Sequence, residues 1–91
     1  LLDQNGCVLP ETSVALLVHS AALGTPEERN FAYYALTMLA LSDRNCGTLR
    51  RLGALLPELS SSIATREKED TFLREDFERV KRLLETLPPR A

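Results

Sequence analysis

One short element occurs twice in this chain, and it restricts the fold more than any other feature. Gly6-Cys7-Val8-Leu9-Pro10-Glu11 returns 47 positions later as Gly53-Ala54-Leu55-Leu56-Pro57-Glu58, with Gly, Leu, Pro and Glu matched outright. A period of this size is that of a supersecondary unit of two or three helices, repeated. Gly tolerates backbone conformations that a side chain forbids. Pro suits the first helical turn, where its missing N–H had no partner, and Glu there complements the positive end of the helix dipole. Each copy therefore reads as a sharp corner that opens a helix. At an offset of 48, allowing one extra loop residue, Ala32, Ala35, Leu36 and Leu39 fall on Val80, Leu83, Leu84 and Leu87. An apolar stripe at helical spacing thus recurs downstream of each corner.

The rest of the pattern is helical throughout. Leu is frequent, β-branched residues are sparse, and no segment alternates apolar with polar residues over a strand's length. The first helix is expected from about Pro10 to Leu23, and Val14, Leu16, Leu17, Val18, Ala21 and Ala22 make it apolar almost all round, as a central helix would be. Gly24 closes it. Thr25-Pro26-Glu27-Glu28 then carries an N-cap Thr, a Pro at the first helical position and a Glu three residues after the cap. The second helix is expected to run to about Ser42, bent near Asn30, with Phe31, Ala35, Met38 and Leu39 lining one side. A polar break at residues 42–45 precedes a short helix or turn from Cys46 to Leu52 that ends at Gly53, and a further helix is expected from Pro57 to about Ala64. Ser60-Ser61-Ser62 and Arg66-Glu67-Lys68-Glu69 mark a solvated helix end or loop. The last helix is expected from about Asp70 to Leu87, with Leu73, Phe77, Val80, Leu84 and Leu87 as its stripe and Pro88-Pro89 as its stop.

The run from Phe31 to Ser42, rich in Ala and Leu, then Asp43-Arg44-Asn45, then Leu52-Gly53-Ala54-Leu55-Leu56-Pro57-Glu58-Leu59 resembles an armadillo repeat: an Ala- and Leu-bearing helix, a polar Asn-containing turn, and a Gly-Ala-hydrophobic-Pro element opening the next helix. The resemblance implies an all-α fold, a right-handed armadillo-like α-solenoid of stacked helical repeats. A partial repeat would occupy residues 1–24, a full repeat 25–65 and a terminal partial repeat 66–91, all within one domain over 1–91. It also implies a protein-interaction scaffold. The helices that follow the corners lack the Asn and Trp ladder of importin-like and catenin-like members, so extended-peptide binding in that style is not implied.

If those two helices line a concave surface, the 47-residue offset sets Glu11 beside Glu58, Ala15 beside Ser62 and His19 beside Arg66. This row is the expected site for another protein or peptide. Self-association is the alternative, with the apolar residues of the 10–23 helix and the 73–87 stripe pairing across a two-fold axis. Nucleic acid is disfavoured. Residues 1–41 hold one Arg against four acids, and the ten Lys and Arg of residues 42–91 are interleaved with nine acids, so Arg44, Arg50 and Arg51 do not form a phosphate-tracking surface.

Catalysis and cofactors find no support in the residues. At 91 residues the chain is short for a free-standing enzyme. The single His, His19, has no Cys, Asp or Glu at ligand spacing, and the serines at 60–62 lack a base. Cys7 and Cys46 are too few for a disulfide framework and read as reduced small hydrophobes in an intracellular, cytoplasmic or nuclear protein. No apolar run approaches the ~18 residues of a membrane span. The Leu1-Leu2 start without an initiator Met suggests a piece of something longer.

Overall fold

A computed structural model describes residues 9–87, the side chain of Asp43 excepted. The described residues form five α-helices and no strand: α1 Glu11–Leu23, α2 Pro26–Leu39, α3 Asp43–Leu52, α4 Leu56–Arg66 and α5 Leu73–Glu85, with a 3-10 turn at Gly53–Leu55 joining α3 to α4. No helix among them is long and apolar enough to cross a membrane. Gly6 to Val8, including Cys7, and the Pro88-Pro89 stop lie outside the described residues.

The α1 helix is central, as expected, and touches α2, α3, α4 and α5. It buries Val14, Val18, Ala21 and Ala22, a single face at steps of three and four, and two of those four are Ala, which lets a neighbouring helix approach closely. Burial does not extend all round, because Leu16 is 69% exposed.

The start of α2 is as read. The Thr25 hydroxyl accepts from the Glu28 backbone N–H at 3.2 Å, and the Thr25 N–H donates to Glu28 Oε1 at 2.8 Å, a complete capping box with Pro in the first turn. The helix is unbroken at Asn30 and stops at Leu39. Residues 40–42 tighten into turns in which Leu41 N–H bonds Met38 O and Ser42 N–H bonds Leu39 O. The apolar residues expected along one side of α2 divide between two faces: Leu39 is buried with Arg29, Ala32 and Leu36, while Phe31 is 74% and Met38 58% exposed. Both faces of this helix are apolar, so hydrophobicity alone could not choose between them.

The α3 helix begins at Asp43, within the expected polar break, and buries Asn45, Cys46, Thr48, Leu49 and Leu52. Cys46 is free and buried, its thiol directed to Ala40 O at 3.3 Å. The Ser60-Ser61-Ser62 run lies inside α4 rather than in a loop. Ser61 Oγ donates to Pro57 O at 3.2 Å, one turn back, so the hydroxyl is satisfied by the helix it was expected to end. Further on, Asp70 Oδ1 accepts from Phe72 N–H, and this local turn delays α5 to Leu73. Leu73, Phe77, Val80 and Leu84 are then buried as the stripe predicts.

The two corners differ where both are described. Pro10 is extended (φ −58°, ψ 147°) and stands before α1, whereas Pro57 lies inside the first turn of α4. Gly53 adopts φ −57°, ψ −21°, which any residue can adopt, so glycine's freedom does not make this corner. Proline does. Pro57 has no N–H to offer the carbonyl four residues back, Gly53 O, and Leu56 N–H takes that carbonyl in a 3-10 bond.

The α2 and α5 helices run in the same direction. Arg29 Nε, in the first turn of α2, meets Asp76 Oδ2 at 2.7 Å in the first turn of α5; one turn further along both, the Arg79 guanidinium lies 4.5 Å from the centre of the Tyr33 ring. The C-terminal ends of α1 and α4 also meet, through Arg66 Nη1 donating to Leu23 O at 2.9 Å. A single hydrophobic cluster spans all five helices.

Candidate functional site

Glu11, Ala15 and His19 share one face of α1 at steps of four, and Glu58, Ser62 and Arg66 do the same on α4. Glu11, His19, Glu58 and Arg66 are exposed, while Ala15 and Ser62 are half-buried. Of the six, Glu11 and Arg66 have side-chain partners among the described residues. Glu11 Oε1 accepts from Arg51 Nε at 3.1 Å and Nη2 at 3.0 Å, linking the start of α1 to the end of α3. Arg66 caps the last turn of α1, where a cation meets the negative end of the helix dipole. Both contacts are solvated and contribute little to stability.

A cleft of about 370 Å³ opens beside the start of α4, against α5. None of the six row residues lines it. Leu56, Pro57 and Phe77 give it apolar walls, and its charges alternate, Arg74 and Lys81 with Glu78 and Glu85. Arg74 donates to Glu67 at 2.8 Å and lies 5.8 Å from the Phe77 ring centre. The Glu67 hydrogen bond holds the Arg74 guanidinium above its ordinary pKa, against partial desolvation. With its signs balanced, the cleft offers no concentrated field for an isolated ion; it suits a segment that presents apolar and polar groups together. The sequence held a faint signal for it in the 3-10 corner, since Pro57 and the 3-10 bond tighten the entry to α4.

The residue that sequence reasoning missed is Arg29. It is 1% exposed, the largest fully buried side chain in the described fold. It pairs with Asp70 (2.9 Å) and Asp76 (2.7 Å) and donates to Gly24 O at 2.9 Å. Asp76 also accepts from Arg79 at 2.9 Å, and Arg79 covers Tyr33. Burial opposes the Arg29 charge, but the hydrogen bonds and attraction of Asp76 and Asp70 outweigh it and raise the guanidinium above its usual value. The Arg29 hydrogen bond in turn holds the Asp70 carboxyl below the usual carboxylate range, overcoming desolvation. The available signals were that Arg29 is the only cation among the first 41 residues and that it stands 47 positions before Asp76. This cluster joins α2 to α5 and is architectural.

Among the described residues, no group of three or more His, Cys, Asp or Glu converges on a point. The remaining surface feature is the outer face of α2, where Phe31, Tyr34 and Met38, with Leu41 just beyond, lie 58–79% exposed. Compared with family models, with curated proteins and with solved structures, the chain matches none.

Proposed function

We propose that this chain is a protein-interaction scaffold, the terminal part of an armadillo-like right-handed array of stacked helices, which binds another protein or peptide and performs no catalysis. The observation that carries this reading is the pairing of equivalent helices. Positions 47 apart (Arg29 and Asp76) and 46 apart (Tyr33 and Arg79) touch on parallel helices, which is the relation between successive units of a helical stack. The outer faces agree with a stack that ends at α5. Glu75, Arg82 and Glu85 face water there, whereas the far side of α2 is apolar. The α1–α4 row, with His19 and Glu58 exposed, and the neighbouring cleft are the surfaces offered to a partner.

Nucleic-acid binding draws less support, because Arg51, Arg74 and Arg79 are each engaged by a carboxylate. A display selection of random peptides against the folded chain, followed by calorimetric titration of the enriched sequences, tests the proposal. Saturable binding is expected, weakened at least tenfold by Glu58→Lys together with Arg66→Glu while helicity stays intact. Unchanged affinity in that variant moves the site to the cleft, and failure to enrich any saturable ligand removes the scaffold reading.

A further inference from the structure

The charges along the α5 wall of the cleft have an order that is complementary to its own reverse. Arg74, Glu78, Lys81 and Glu85 follow one another at steps of four, three and four, all within the single helix Leu73–Glu85. Such steps keep them on one narrow strip of the helix, about 16 Å long. Their signs run positive, negative, positive, negative. When the strip is laid antiparallel on a copy of itself, Glu78 meets Lys81 of the copy and Arg74 meets Glu85. Every pairing occurs twice about an axis between residues 79 and 80, as an isologous contact requires. A parallel copy in the same register would set like charge on like.

These charges are not consumed within the chain. Lys81 is half-buried and Glu85 exposed, and although they stand one turn apart, neither takes part in an ion pair among the described residues. Arg74 and Glu78 are 4.0 Å apart, at the limit of pairing, and Arg74 keeps 37% of its side chain exposed beside its bond to Glu67. From the start of α4, half-buried Leu56 and exposed Pro57 border the strip and offer apolar area to a covering helix. Exposed ion pairs each contribute little, so the apolar border supplies affinity while the charge order fixes the register. The apolar contact expected for self-association, through residues 10–23 and 73–87, is not open. Val14, Val18, Leu73, Phe77, Val80 and Leu84 are buried within the chain itself.

We propose that the α5 wall of the cleft is a self-association surface on which a second copy of this chain seats its own α5 antiparallel, Glu78 on Lys81 and Arg74 on Glu85. This gives the cleft an occupant and does not rest on peptide binding at the α1–α4 row. Sedimentation equilibrium in low salt, followed from low micromolar to millimolar concentration, is expected to show the mass rising to twice that of the monomer. Physiological salt should loosen the dimer severalfold. Lys81→Glu should raise the dissociation constant at least about tenfold, and Glu78→Lys likewise, because each sets like charges across the axis while the circular dichroism spectrum stays unchanged. An equimolar mixture of these two variants should associate as wild type does, since opposite charges then face each other at both central contacts. Arg82→Glu makes the same charge change as Lys81→Glu at an exposed position off the strip and should leave association close to wild type. A chain that stays monomeric throughout overturns the proposal and assigns the cleft to a different protein. A dimer that Lys81→Glu leaves intact, or that Arg82→Glu breaks equally, overturns it too. So does a mixture that fails to associate, because the two α5 helices would then not face each other antiparallel.

Discussion

Arg29 is a buried cation whose carboxylate partners, Asp70 and Asp76, both stand more than forty residues along the chain. A buried guanidinium with its carboxylates in place is near neutral in net stability, but the same cation stripped of a partner is costly, on the order of 3–5 kcal/mol in dry interiors. Asp76 keeps 19% of its side chain exposed, which softens that penalty. Asp76→Ala is therefore expected to cost about 2–3 kcal/mol in urea denaturation, and Arg29→Met distinctly less, because Met removes the charge along with its need. A loss below about 1 kcal/mol for Asp76→Ala would show that Arg29 finds water instead. Asp70 adds a pH dependence of known sign. Its folded pKa lies below the unfolded value, so its contribution is complete above the ordinary carboxylate range near pH ~4 and disappears as pH falls through the lowered folded value. Wild type should be more stable than Asp70→Asn at neutral pH, and the two should converge in acid; a gap that persists in acid would place the effect outside ionisation.

At the scale of elements, the glycines separate what the sequence could show from what it could not. Gly24 was read as a helix stop, and the close approach there is real. A Cβ at Gly24 would fall 2.8 Å from Ser20 O and 2.9 Å from Glu28 Cβ, beneath the folded-back side chain of the capping box. Gly53 was read as the corner residue, yet its φ is ordinary and a Cβ there would meet nothing within 4 Å. Gly24→Ala should thus destabilise by about 1–3 kcal/mol, while Gly53→Ala should be neutral or stabilise by up to about 1 kcal/mol through the unfolded state. Thermal melts of both variants check the pair, and equal losses would contradict it. Local chemistry was legible wherever one signal acted alone, as in the Thr25–Glu28 box and the α5 stripe. It was illegible where two apolar faces competed on α2, where Ser61 bonded back to its own helix, and where Asp70 formed a turn ahead of α5. The site was less legible still. The row on α1 and α4 came from an offset, whereas the cleft and the Arg29 cluster depend on which residues of distant helices meet.

For the molecule as a whole, the question is whether its helices can come apart singly. A stack of independent units would let α5 fray while α1 and α2 persisted, since nearest-neighbour contacts set the stability of a repeat array. Here α5 packs on α1, α2, α3 and α4, and α1 likewise reaches every other helix, so each element is covered by residues distant in sequence. Phe77, 2% exposed, sits in that shared cluster. Phe77→Ala is expected to cost about 3–5 kcal/mol. A domain of this size has only about 5–10 kcal/mol in total, so the loss should register everywhere at once. Native-state hydrogen exchange reads this directly: protection in α1 and α2 should fall by the same factor as protection in α5. If α5 alone lost protection while the backbone amides of Val14, Val18 and Leu36 kept theirs, the C-terminal helix would be a separately melting cap, and the five helices would not form one cooperative unit.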